Sequence, residues 1–343
     1  MASASLEGTA VALVAPGRGI LAADESHATI GRRFDALGIA NSEETRRRYR
    51  QLLFTTKGIG DFISGVILFD ETIRQTADDG RSFTEVLASA GVIAGIKVDR
   101  GSKPLAGAPG EQVTEGLDEL RERLAEYKTL GARFAKWRAV ITLGEDGRTP
   151  TRRGLEANAH ALARYAALCQ EAGIVPIVEP EVLMDGSHSI ERCCDVTEAT
   201  LYTVFQALRE QGVSLEGVLL KPSMVLPGTT APRRAAVADV AQATVRCLLR
   251  TVPAAVPGIV FLSGGQADEL ATAHLDAMNR LPGPRPWPLS FSYARALQAS
   301  PLKAWGGDPA RVADAQRAFY HRARCNSAAR SGAYTPELER SAT

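Results

Sequence analysis

Three lysines stand at positions where a lysine is costly. The 343-residue chain contains 40 lysines and arginines, but only seven of these are lysine, and Lys97, Lys136 and Lys221 interrupt short apolar runs. An ammonium group buried without a partner is unfavourable, and a lysine in that position tends to lose its proton. Arginine cannot do so, and therefore cannot act as a nucleophile. The simpler interpretation is a lysine at a strand end whose ammonium group reaches water.

Carboxylates and a further cation occupy matching positions in neighbouring runs. Side chains alternate between the two faces of a strand, so Lys136 shares a face with Arg138. For the same reason Glu179 shares a face with Glu181, and Asp24 ends the first apolar run. If these strands are neighbours about 4.8 Å apart and these faces point inward, Lys136, both glutamates and Lys221 converge in one pocket. Asp24 and Lys97 would face it from across the barrel.

Such a pocket supports two interpretations. A lysine close to a second ammonium group and away from bulk water carries a fraction of free amine near neutral pH. A nearby glutamate can then move the protons that form and dehydrate a carbinolamine, which is the chemistry of a Schiff-base enzyme. The alternative is an internal ion-pair network that only fixes the register of the strands. Spacing alone does not choose between them.

The elements that must position these residues are eight short apolar runs separated by helical segments. Each run is too short for a helix, and glycine or proline flanks most of them. Strands that are apolar on both faces and alternate with helices indicate an α/β fold with a parallel sheet. Eight such strands predict a (β/α)8 TIM barrel, with the working residues at the carboxyl ends of the strands. The predicted strands are residues 19–24, 65–69, 95–99, 134–138, 175–181, 217–223, 258–264 and 288–294.

Local signals predict the ends of several helices. Asn41 and Ser82 each precede a glutamate by three residues, which is the spacing of a capping box. An apolar stripe over residues 117–127 predicts a helix that ends at Gly131. Asp308, followed by proline, predicts the start of the last long helix.

No segment of the sequence divides it into two domains. The proline-rich stretch 281–288 is short and is typical of a stiff loop before the last strand. We therefore predict a single barrel domain over residues 1–343, with a helical lead-in at the N-terminus and a short mobile tail from about residue 331.

Anion-binding features follow the last two predicted strands. In FLSGGQADE, Ser263, Gly264 and Gly265 lie between a strand and a helix, where glycines let backbone N–H groups approach a phosphate. Arg295 follows the eighth strand, and its guanidinium group can form two hydrogen bonds to the same phosphate. The loops after the seventh and eighth strands often hold phosphate in barrels. LSGGQ also occurs in ABC-type ATPases, but those proteins require a P-loop, and the sequence has no Gly-Lys dipeptide.

Composition argues against several other classes of protein. The formal net charge of +1 gives no electrostatic reason to expect nucleic acid or a membrane surface. No apolar run approaches the roughly 20 residues of a membrane-spanning helix, and the N-terminus lacks the basic region of a secretory signal. Five cysteines without C-x-x-C spacing predict a reduced, cytoplasmic protein. The five histidines are scattered without metal-binding spacing, so we expect no metal.

The chain resembles class I fructose-1,6-bisphosphate aldolase in nine blocks that run in order along nearly the whole sequence. They are ILAADES, GVILF, GIKVD, FAKWR, PIVEPE, LLKPSM, FLSGGQ, FSYARALQAS and LKAWGG. The resemblance implies a (β/α)8 barrel and a homotetrameric, cytoplasmic lyase of glycolysis and gluconeogenesis. It also implies reversible cleavage of fructose 1,6-bisphosphate to dihydroxyacetone phosphate and glyceraldehyde 3-phosphate. The implied chemistry uses a covalent imine and neither a cofactor nor a metal.

The same resemblance implies a role for each site residue. Lys221 forms the Schiff base, Glu179 is the general acid and base, and Lys136 assists proton transfer. Asp24 positions the lysines and helps remove the C4 hydroxyl proton, with Glu181 as a supporting carboxylate. The residues implied to hold the first phosphate are Ser263, Gly264, Gly265 and Arg295. Those implied at the second are Lys97, Ser26, Thr29 and Arg33, with Arg46 and Arg138 as further candidates.

Three departures from the family pattern carry expectations of their own. His27-Ala28-Thr29 replaces Thr-Gly-Ser after AADES, which keeps the hydroxyl at the third position but predicts a stiffer loop. Ala294 replaces a glycine beside Arg295, and its Cβ can crowd or reshape the phosphate site. The sequence ends in LERSAT, without the terminal tyrosine that many relatives use in proton exchange. We therefore expect slower enamine protonation or another proton donor, and normal tritium exchange into dihydroxyacetone phosphate would refute this.

Two other functions remain open at this point. A transaldolase-like Schiff-base lyase would use the same barrel, and a panel of bisphosphate and monophosphate sugars separates it from an aldolase. A non-catalytic scaffold on this barrel would lack the site lysines or carboxylates, and all of them are present. The expected partners are therefore sugar phosphates, with neither nucleic acid nor membrane.

Overall fold

The chain forms a barrel of eight parallel strands with helices around it, as the alternation of apolar runs predicts. This computed structural model describes residues 5–145 and 147–340. The barrel strands are β1 (Gly19–Ala23), β2 (Ile63–Leu68), β3 (Ile93–Lys97), β6 (Phe134–Ile141), β7 (Val175–Val182), β8 (Leu219–Leu220), β9 (Ile259–Phe261) and β10 (Leu289–Tyr293). They close in the order β1-β10-β9-β8-β7-β6-β3-β2. A separate antiparallel hairpin, β4 (Ser102–Pro104) and β5 (Gln112–Thr114), follows β3 and was not predicted.

Helices fill the connections between the strands. They are α1 (Leu6–Leu13), α2 (His27–Asp35), α3 (Glu43–Phe54), α4 (Asp70–Ile73), α5 (Phe83–Ser89), α6 (Leu120–Thr129), α7 (Arg152–Glu171), α8 (Ile190–Glu210), α9 (Val237–Thr251), α10 (Asp268–Arg280), α11 (Arg295–Trp305), α12 (Val312–Arg330) and α13 (Pro336–Arg340). None of the helices in the described ranges is long and apolar enough to cross a bilayer.

Apolar side chains fill the barrel at the amino ends of its strands. Phe134 is fully buried and lies so close to β3 that a Cβ added to Gly95 would come within 2.4 Å of its ring. Leu13 of α1 packs into the same inner cluster and covers the start of β2. Since this end is closed by hydrocarbon, polar side chains on the inner face have room only toward the carboxyl ends of the strands.

A second apolar layer lies between the strands and the outer helices. Trp137 is fully buried there and packs against Tyr165 of α7 at 5.5 Å between ring centroids. The strand alternation predicts this placement, because Trp137 lies between the inward-facing Lys136 and Arg138. The outer layer thus fixes the orientation of β6 and, with it, the direction of the polar residues.

Strand limits differ from the prediction where the backbone cannot continue the ladder. The run 217–223 contains only a two-residue strand, because Pro222 has no N–H to donate and the pairing stops before it. Within the run 95–99, β3 ends at Lys97, and Asp99 lies in the following loop.

Two helix starts also differ from the prediction. The hydroxyl of Ser42, and not the side chain of Asn41, accepts the capping hydrogen bond of α3. The predicted capping box at Ser82 is present at the start of α5. α6 begins at Leu120 and not at residue 117, because Glu119 has a left-handed backbone conformation with φ of 56°, which cannot be part of an α-helix. α12 is preceded by a short 3-10 turn capped by Asp308.

The C-terminal segment is folded back onto α12. α13 carries Glu339, which pairs with the buried Arg322 and accepts a hydrogen bond from the Tyr334 hydroxyl at 2.8 Å. The mobility expected from about residue 331 stays a prediction. The last three residues of LERSAT, which entered the expectation about the missing tyrosine, lie outside the described residues.

Candidate active site

The carboxyl ends of the barrel strands surround a cavity of about 590 Å³. Most of the predicted site residues line it. They are Asp24, Thr29, Arg33, Lys136, Arg138, Glu179, Glu181, Lys221, Ser263, Gly264 and Arg295. Strand alternation therefore placed the side chains of the fourth, fifth and sixth predicted strands correctly, whereas Lys97, which was expected to face the same pocket, lines a neighbouring cavity.

Strand register accounts for the meeting of these side chains. Lys97 on β3 is directly opposite Lys136 on β6, and Arg138 is opposite Glu179 on β7. The Lys221 N–H donates to the carbonyl of Val178 at 2.8 Å, which places Lys221 beside the strand position of Glu179. Because parallel strands share one end, these pairings bring the polar groups to the same level of the barrel.

Lys136 is the centre of an ion-pair network in the cavity. Its Nζ lies 2.7 Å from Asp24 Oδ2, 3.3 Å from Glu179 Oε2 and 3.9 Å from Asp99 Oδ2, and its side chain is only 5% exposed. Burial alone would lower the pKa of Lys136, but the carboxylates of Asp24, Glu179 and Asp99 outweigh it and raise that pKa well above the ordinary value. Lys136 is therefore a charged ammonium group at neutral pH.

Asp24 and Lys221 complete the network on either side of Lys136. Burial would raise the pKa of Asp24, but Lys136 first and Lys221 second hold that pKa far below its usual range. Lys221 Nζ lies 3.2 Å from Glu179 Oε1, and the lysine is only 3% exposed. The simpler interpretation of Lys221, an ammonium group at a strand end reaching water, is therefore wrong.

Asp99 is a member of the network that the sequence reasoning missed. Its Oδ1 lies 2.8 Å from Lys97 Nζ, and its Oδ2 accepts from the backbone N–H of Arg138 at 3.2 Å. The residue stands two positions after Lys97 in GIKVD, and this same-face spacing could have singled it out. Asp99 joins the loop after β3 to β6 and orients Lys97.

The remaining carboxylates near the cavity are each paired with arginine. Glu181 Oε2 contacts Nε of Arg138. Glu25, buried just after Asp24, contacts Arg33 Nη1 and lies 2.6 Å from Arg50 Nη2. Burial would raise the pKa of Glu25, but the guanidinium groups of Arg50 and Arg33 hold it below its ordinary value.

This pairing bears on whether the cavity could hold a metal. Asp24, Glu179 and Glu181 each contact a lysine or arginine. A divalent cation would have to displace those cations, so the cavity offers no free set of carboxylate ligands among the described residues.

The Ser-Gly-Gly segment forms a turn before α10 and not the helix start itself. The N–H of Gln266 closes this turn on the Ser263 carbonyl at 3.0 Å, and the helix begins at Asp268. Gly265 has a φ of +89°, and a Cβ added to it would lie 2.9 Å from Nη2 of Arg295. The turn therefore needs glycine for its conformation and for its close approach to the arginine.

Two buried side chains fix this turn and were also missed. The Gln266 amide donates to the Ser263 carbonyl at 3.1 Å, and its oxygen lies 2.6 Å from Nδ1 of His274. Neither residue has a motif around it that points to this role. Their contribution is to position the backbone of the turn.

Free positive charge at the cavity comes from Arg295 and Arg32. Both line it and are exposed, and neither forms an ion pair with any residue in the described ranges. Arg33 and Arg138, in contrast, are already paired with Glu25 and Glu181. Arg32 was missed by the sequence reasoning, although it stands next to the predicted Arg33.

The predicted residues for a second phosphate are divided between two cavities. Ser26 and Lys97 line a neighbouring cavity of about 520 Å³, while Thr29 and Arg33 line the first. The hydroxyl groups of Ser26 and Thr29 are 3.2 Å apart, so they lie where the two cavities approach each other.

The structure bears on two expectations drawn from departures in the family pattern. Residues 27–29 form the first turn of α2, capped by Ser26, and are not a stiffened loop. Ala294 has a φ of −99°, which an alanine adopts without the strain of the left-handed region. It lines the cavity beside Arg295, where its methyl group occupies space that a glycine would leave free.

Arg46 lies in the lining of neither cavity. Its Nε and Nη2 form a bidentate salt bridge with Glu71 at 2.7 and 2.6 Å, and its Nη1 donates to Asn41 Oδ1 at 2.8 Å. His27 Nε2 contacts the same glutamate at 3.0 Å. The structure therefore does not bring Arg46 to the candidate site.

The fold and the site together define a (β/α)8-barrel enzyme built around a buried lysine in contact with a glutamate. Comparison with known proteins identifies which enzyme family this is. Residues 5–343 match the family model of class I fructose-bisphosphate aldolase. The chain therefore belongs to the class I fructose-bisphosphate aldolase family, whose members are lyases, and the predicted family and fold are confirmed.

Relatives from several organisms share most of the length of the chain. A probable class 1 fructose-bisphosphate aldolase of Xanthomonas axonopodis pv. citri is 60% identical over 333 residues, which cover 97% of this chain and 99% of the relative. The fructose-bisphosphate aldolase of Dictyostelium discoideum is 54% identical, covering 96% of this chain and 92% of the relative. A cytosolic fructose-bisphosphate aldolase of Arabidopsis thaliana is 53% identical, with 94% and 82% covered.

A solved structure matches the fold over nearly its whole length. Fructose-bisphosphate aldolase of Plasmodium falciparum, in complex with TRAP and a small-molecule inhibitor, has a TM-score of 0.95 and 50% identity. The match covers 96% of this chain and 95% of that chain.

Proposed function

We propose that this chain catalyses the reversible cleavage of fructose 1,6-bisphosphate to dihydroxyacetone phosphate and glyceraldehyde 3-phosphate through an imine on Lys221. The observation that carries this proposal is the buried contact between Lys221 Nζ and Glu179 Oε1 at 3.2 Å, with Lys136 on the other oxygen of the same glutamate. Membership of the aldolase family supports the substrate.

Lys136 and Glu179 prepare Lys221 for attack on the ketone. Lys136 keeps its positive charge because Asp24, Glu179 and Asp99 stabilise it. The Lys221 amine adds to the C2 carbonyl, and the resulting carbinolamine loses its hydroxyl group as water. Glu179, in contact with both lysines, transfers the protons for these two steps.

The imine then accepts the electrons of the bond that breaks. When the C3–C4 bond is cleaved, its electron pair moves into the protonated imine and leaves an enamine, while the C4 hydroxyl loses its proton to form the aldehyde. Asp24 is ionised because its pKa is held far below the usual range, so it accepts the hydrogen bond of that hydroxyl and helps remove the proton. Protonation of the enamine and hydrolysis of the imine release the ketone product. Because the imine accepts the electrons, this route needs neither a cofactor nor a metal.

The cations and the glycine turn hold the two phosphates. Ser263, Gly264 and Gly265 present a turn to the first phosphate, and Arg295 beside Gly265 supplies charge. Thr29, Ser26 and Lys97 lie at the junction of the two cavities, where the second phosphate would sit at the far end of an extended substrate. Arg33 and the unpaired Arg32 line the space near Thr29.

Borohydride trapping tests the proposed intermediate. The full-length protein is incubated with dihydroxyacetone phosphate, reduced with borohydride and mapped by peptide mass spectrometry. We expect one adduct, on Lys221, and bisphosphate cleavage that EDTA does not change. Lys221→Arg should abolish both the adduct and cleavage, since arginine cannot supply a neutral amine. Lys303→Arg, at an exposed lysine outside the site, is the matched control and should behave as the wild type.

Two results would contradict the proposal. One is an adduct on another lysine, and the other is cleavage that persists in Lys221→Arg.

We further propose that the enzyme is cytoplasmic and forms a homotetramer. The Arabidopsis relative named as cytosolic and the family membership support this. Size-exclusion chromatography with light scattering should give four times the chain mass of 36.6 kDa. A monomer mass at micromolar concentration would contradict the tetramer.

A further inference from the structure

A histidine, a cysteine and a glutamate meet on the outer side of the barrel. His321 and Cys325 are one turn apart on α12, and Glu339 approaches them from α13. His321 Nε2 lies 3.6 Å from Cys325 Sγ and 3.7 Å from Glu339 Oε1. The three donor atoms lie within 4.8 Å of one another. We refer to these three residues as the α12–α13 cluster.

The distances in this cluster match those around a tetrahedral zinc ion. Zinc binds cysteine sulfur at about 2.3 Å and histidine nitrogen or carboxylate oxygen at about 2.0–2.1 Å. At a tetrahedral angle these bond lengths separate sulfur from nitrogen by about 3.6 Å and nitrogen from oxygen by about 3.4 Å. The two printed separations from His321 Nε2 differ from these values by a few tenths of an ångström at most, and Cys325 Sγ lies within 4.8 Å of the carboxylate oxygen.

We propose that His321, Cys325 and Glu339 form a binding site for a divalent cation of the zinc class, with the fourth coordination position open. A cavity of about 390 Å³ adjoins His321 and Glu339 and shares no lining residue with the cavity at the barrel mouth. Three protein ligands and an accessible fourth position make a site from which the ion can exchange. The bound ion would join α13 to α12.

The neighbours of the cluster are compatible with a bound cation. Arg322 contacts Glu339 Oε1, but it also donates to the carbonyls of Ala296 at 3.3 Å and Asp268 at 3.2 Å. These bonds keep the guanidinium group in place when the carboxylate oxygen is shared with a metal. The Tyr334 hydroxyl holds the other oxygen of Glu339 at 2.8 Å, which orients the carboxylate as outer partners of metal ligands do.

Coordination by Cys325 requires its thiolate form. Cys325 is fully buried and free of disulfide bonds, so it is a thiol when no ion is bound. When the sulfur–metal bond forms, the thiol proton leaves to solvent, and the ion gains one anionic ligand in addition to Glu339.

Another group of potential ligands must be separated from this one experimentally. Cys194, Glu198 and Cys247 on α8 and α9 also lie within 4.8 Å of one another. Like Glu339, Glu198 is paired with an arginine, Arg250, at 3.0 Å, but this group contains no histidine. We therefore assign the cation to the α12–α13 cluster and use Cys194 for a control variant.

Cobalt provides the test, because a thiolate bound to Co²⁺ gives a charge-transfer band that other ligands do not. The reduced full-length protein is titrated with Co²⁺ alone, and then with Zn²⁺ to displace it. We expect a thiolate-to-cobalt band that saturates at one equivalent per chain and disappears on adding Zn²⁺. Cys325→Ser, which preserves side-chain size, and His321→Gln should abolish the band, while Cys194→Ala should retain it. Glu339→Gln should weaken binding by at least about tenfold.

Each contrary result identifies a specific error. Absence of the band in the wild type would overturn the site. Loss in Cys194→Ala with retention in Cys325→Ser would place the ion on α8 and α9 instead. Unchanged affinity in Glu339→Gln would show that α13 does not contribute a ligand. The circular dichroism spectrum of each variant verifies folding, and none of these readouts depends on aldol cleavage.

Discussion

Replacing Lys136 by methionine should expose the electrostatics on which the site depends. The ammonium group lies within 4 Å of Asp24, Glu179 and Asp99. Methionine keeps most of the length and the apolar part of the side chain, so the change removes charge without leaving a large cavity. Removing one partner of a buried ion pair costs about 3–5 kcal/mol. Since native proteins are stable by about 5–15 kcal/mol, we expect a folded variant with a markedly lower urea midpoint.

The loss in stability should depend on pH with a defined sign. In the wild type the pKa of Asp24 is below its unfolded value, so the ionised carboxylate stabilises the fold at neutral pH and this contribution is lost as the pH falls through the acid range. Removing Lys136 takes away the largest of the charges that hold the pKa of Asp24 down, so burial shifts that pKa upward and the carboxyl group takes up a proton more readily. The deficit of the variant should be largest above neutral pH and should narrow toward about pH 5.

Urea denaturation followed by circular dichroism at about pH 5 and about pH 8 measures this difference. The matched control is the double variant Asp24→Asn/Lys136→Met, which removes both charges of the 2.7 Å pair and should recover part of the lost stability. Turnover should fall by about 10²–10⁴ in Lys136→Met if the residue assists proton transfer. A deficit that is the same at both pH values, or a double variant no more stable than the single one, would refute the reasoning.

Three further predictions concern the cavity rim and the turn that supports it. Gly265→Ala should raise KM for the bisphosphate roughly tenfold with a smaller change in kcat. The reason is that an alanine at this left-handed φ is strained by about 1–2 kcal/mol and its Cβ displaces Arg295. Steady-state kinetics measures kcat and KM separately, and unchanged values of both would contradict this prediction. Arg32→Ala should raise KM about tenfold or more, as expected for losing a charged hydrogen bond to phosphate, whereas Arg46→Ala, outside the cavity, should leave KM near that of the wild type. Burial lowers the pKa of His274 from 6.5 to about 4. The free energy of unfolding should therefore fall by up to about 3 kcal/mol as the pH falls between these values. His274→Gln should remove this pH dependence, and urea midpoints that change in parallel for both proteins across this range would contradict the prediction.

The sequence predicted the barrel and most of its inner polar face because both depend on local periodicity. Alternation along FAKWR and VPIVEPE was enough to place Lys136, Glu179 and their neighbours on the inward side. Where prediction failed, the cause was a local backbone constraint or a long-range contact. Pro222 shortened the sixth strand and Glu119 delayed a helix, while Asp99 was missed although its spacing could have revealed it.

The sequence could not show which arginines reach the cavity or which of them are already paired with a carboxylate. Arg33 and Arg46 appear in similar basic segments, yet one reaches the cavity and the other is held by Glu71 outside it. Arg32 remains unpaired because no described carboxylate reaches it, a fact that depends on how α2 packs. Likewise, His321 was not connected with Cys325 from the sequence, and Glu339 reaches them only because α13 folds back onto α12.

The amino-acid sequence by itself determined the barrel and the family, because apolar periodicity and short ordered motifs are properties of neighbouring residues. Tertiary structure decided which charges are paired, how strongly each proton is held and which side chains from distant segments share one site. The physical reason is that ion pairing and burial act over a few ångströms in space, and separation along the chain does not report that distance.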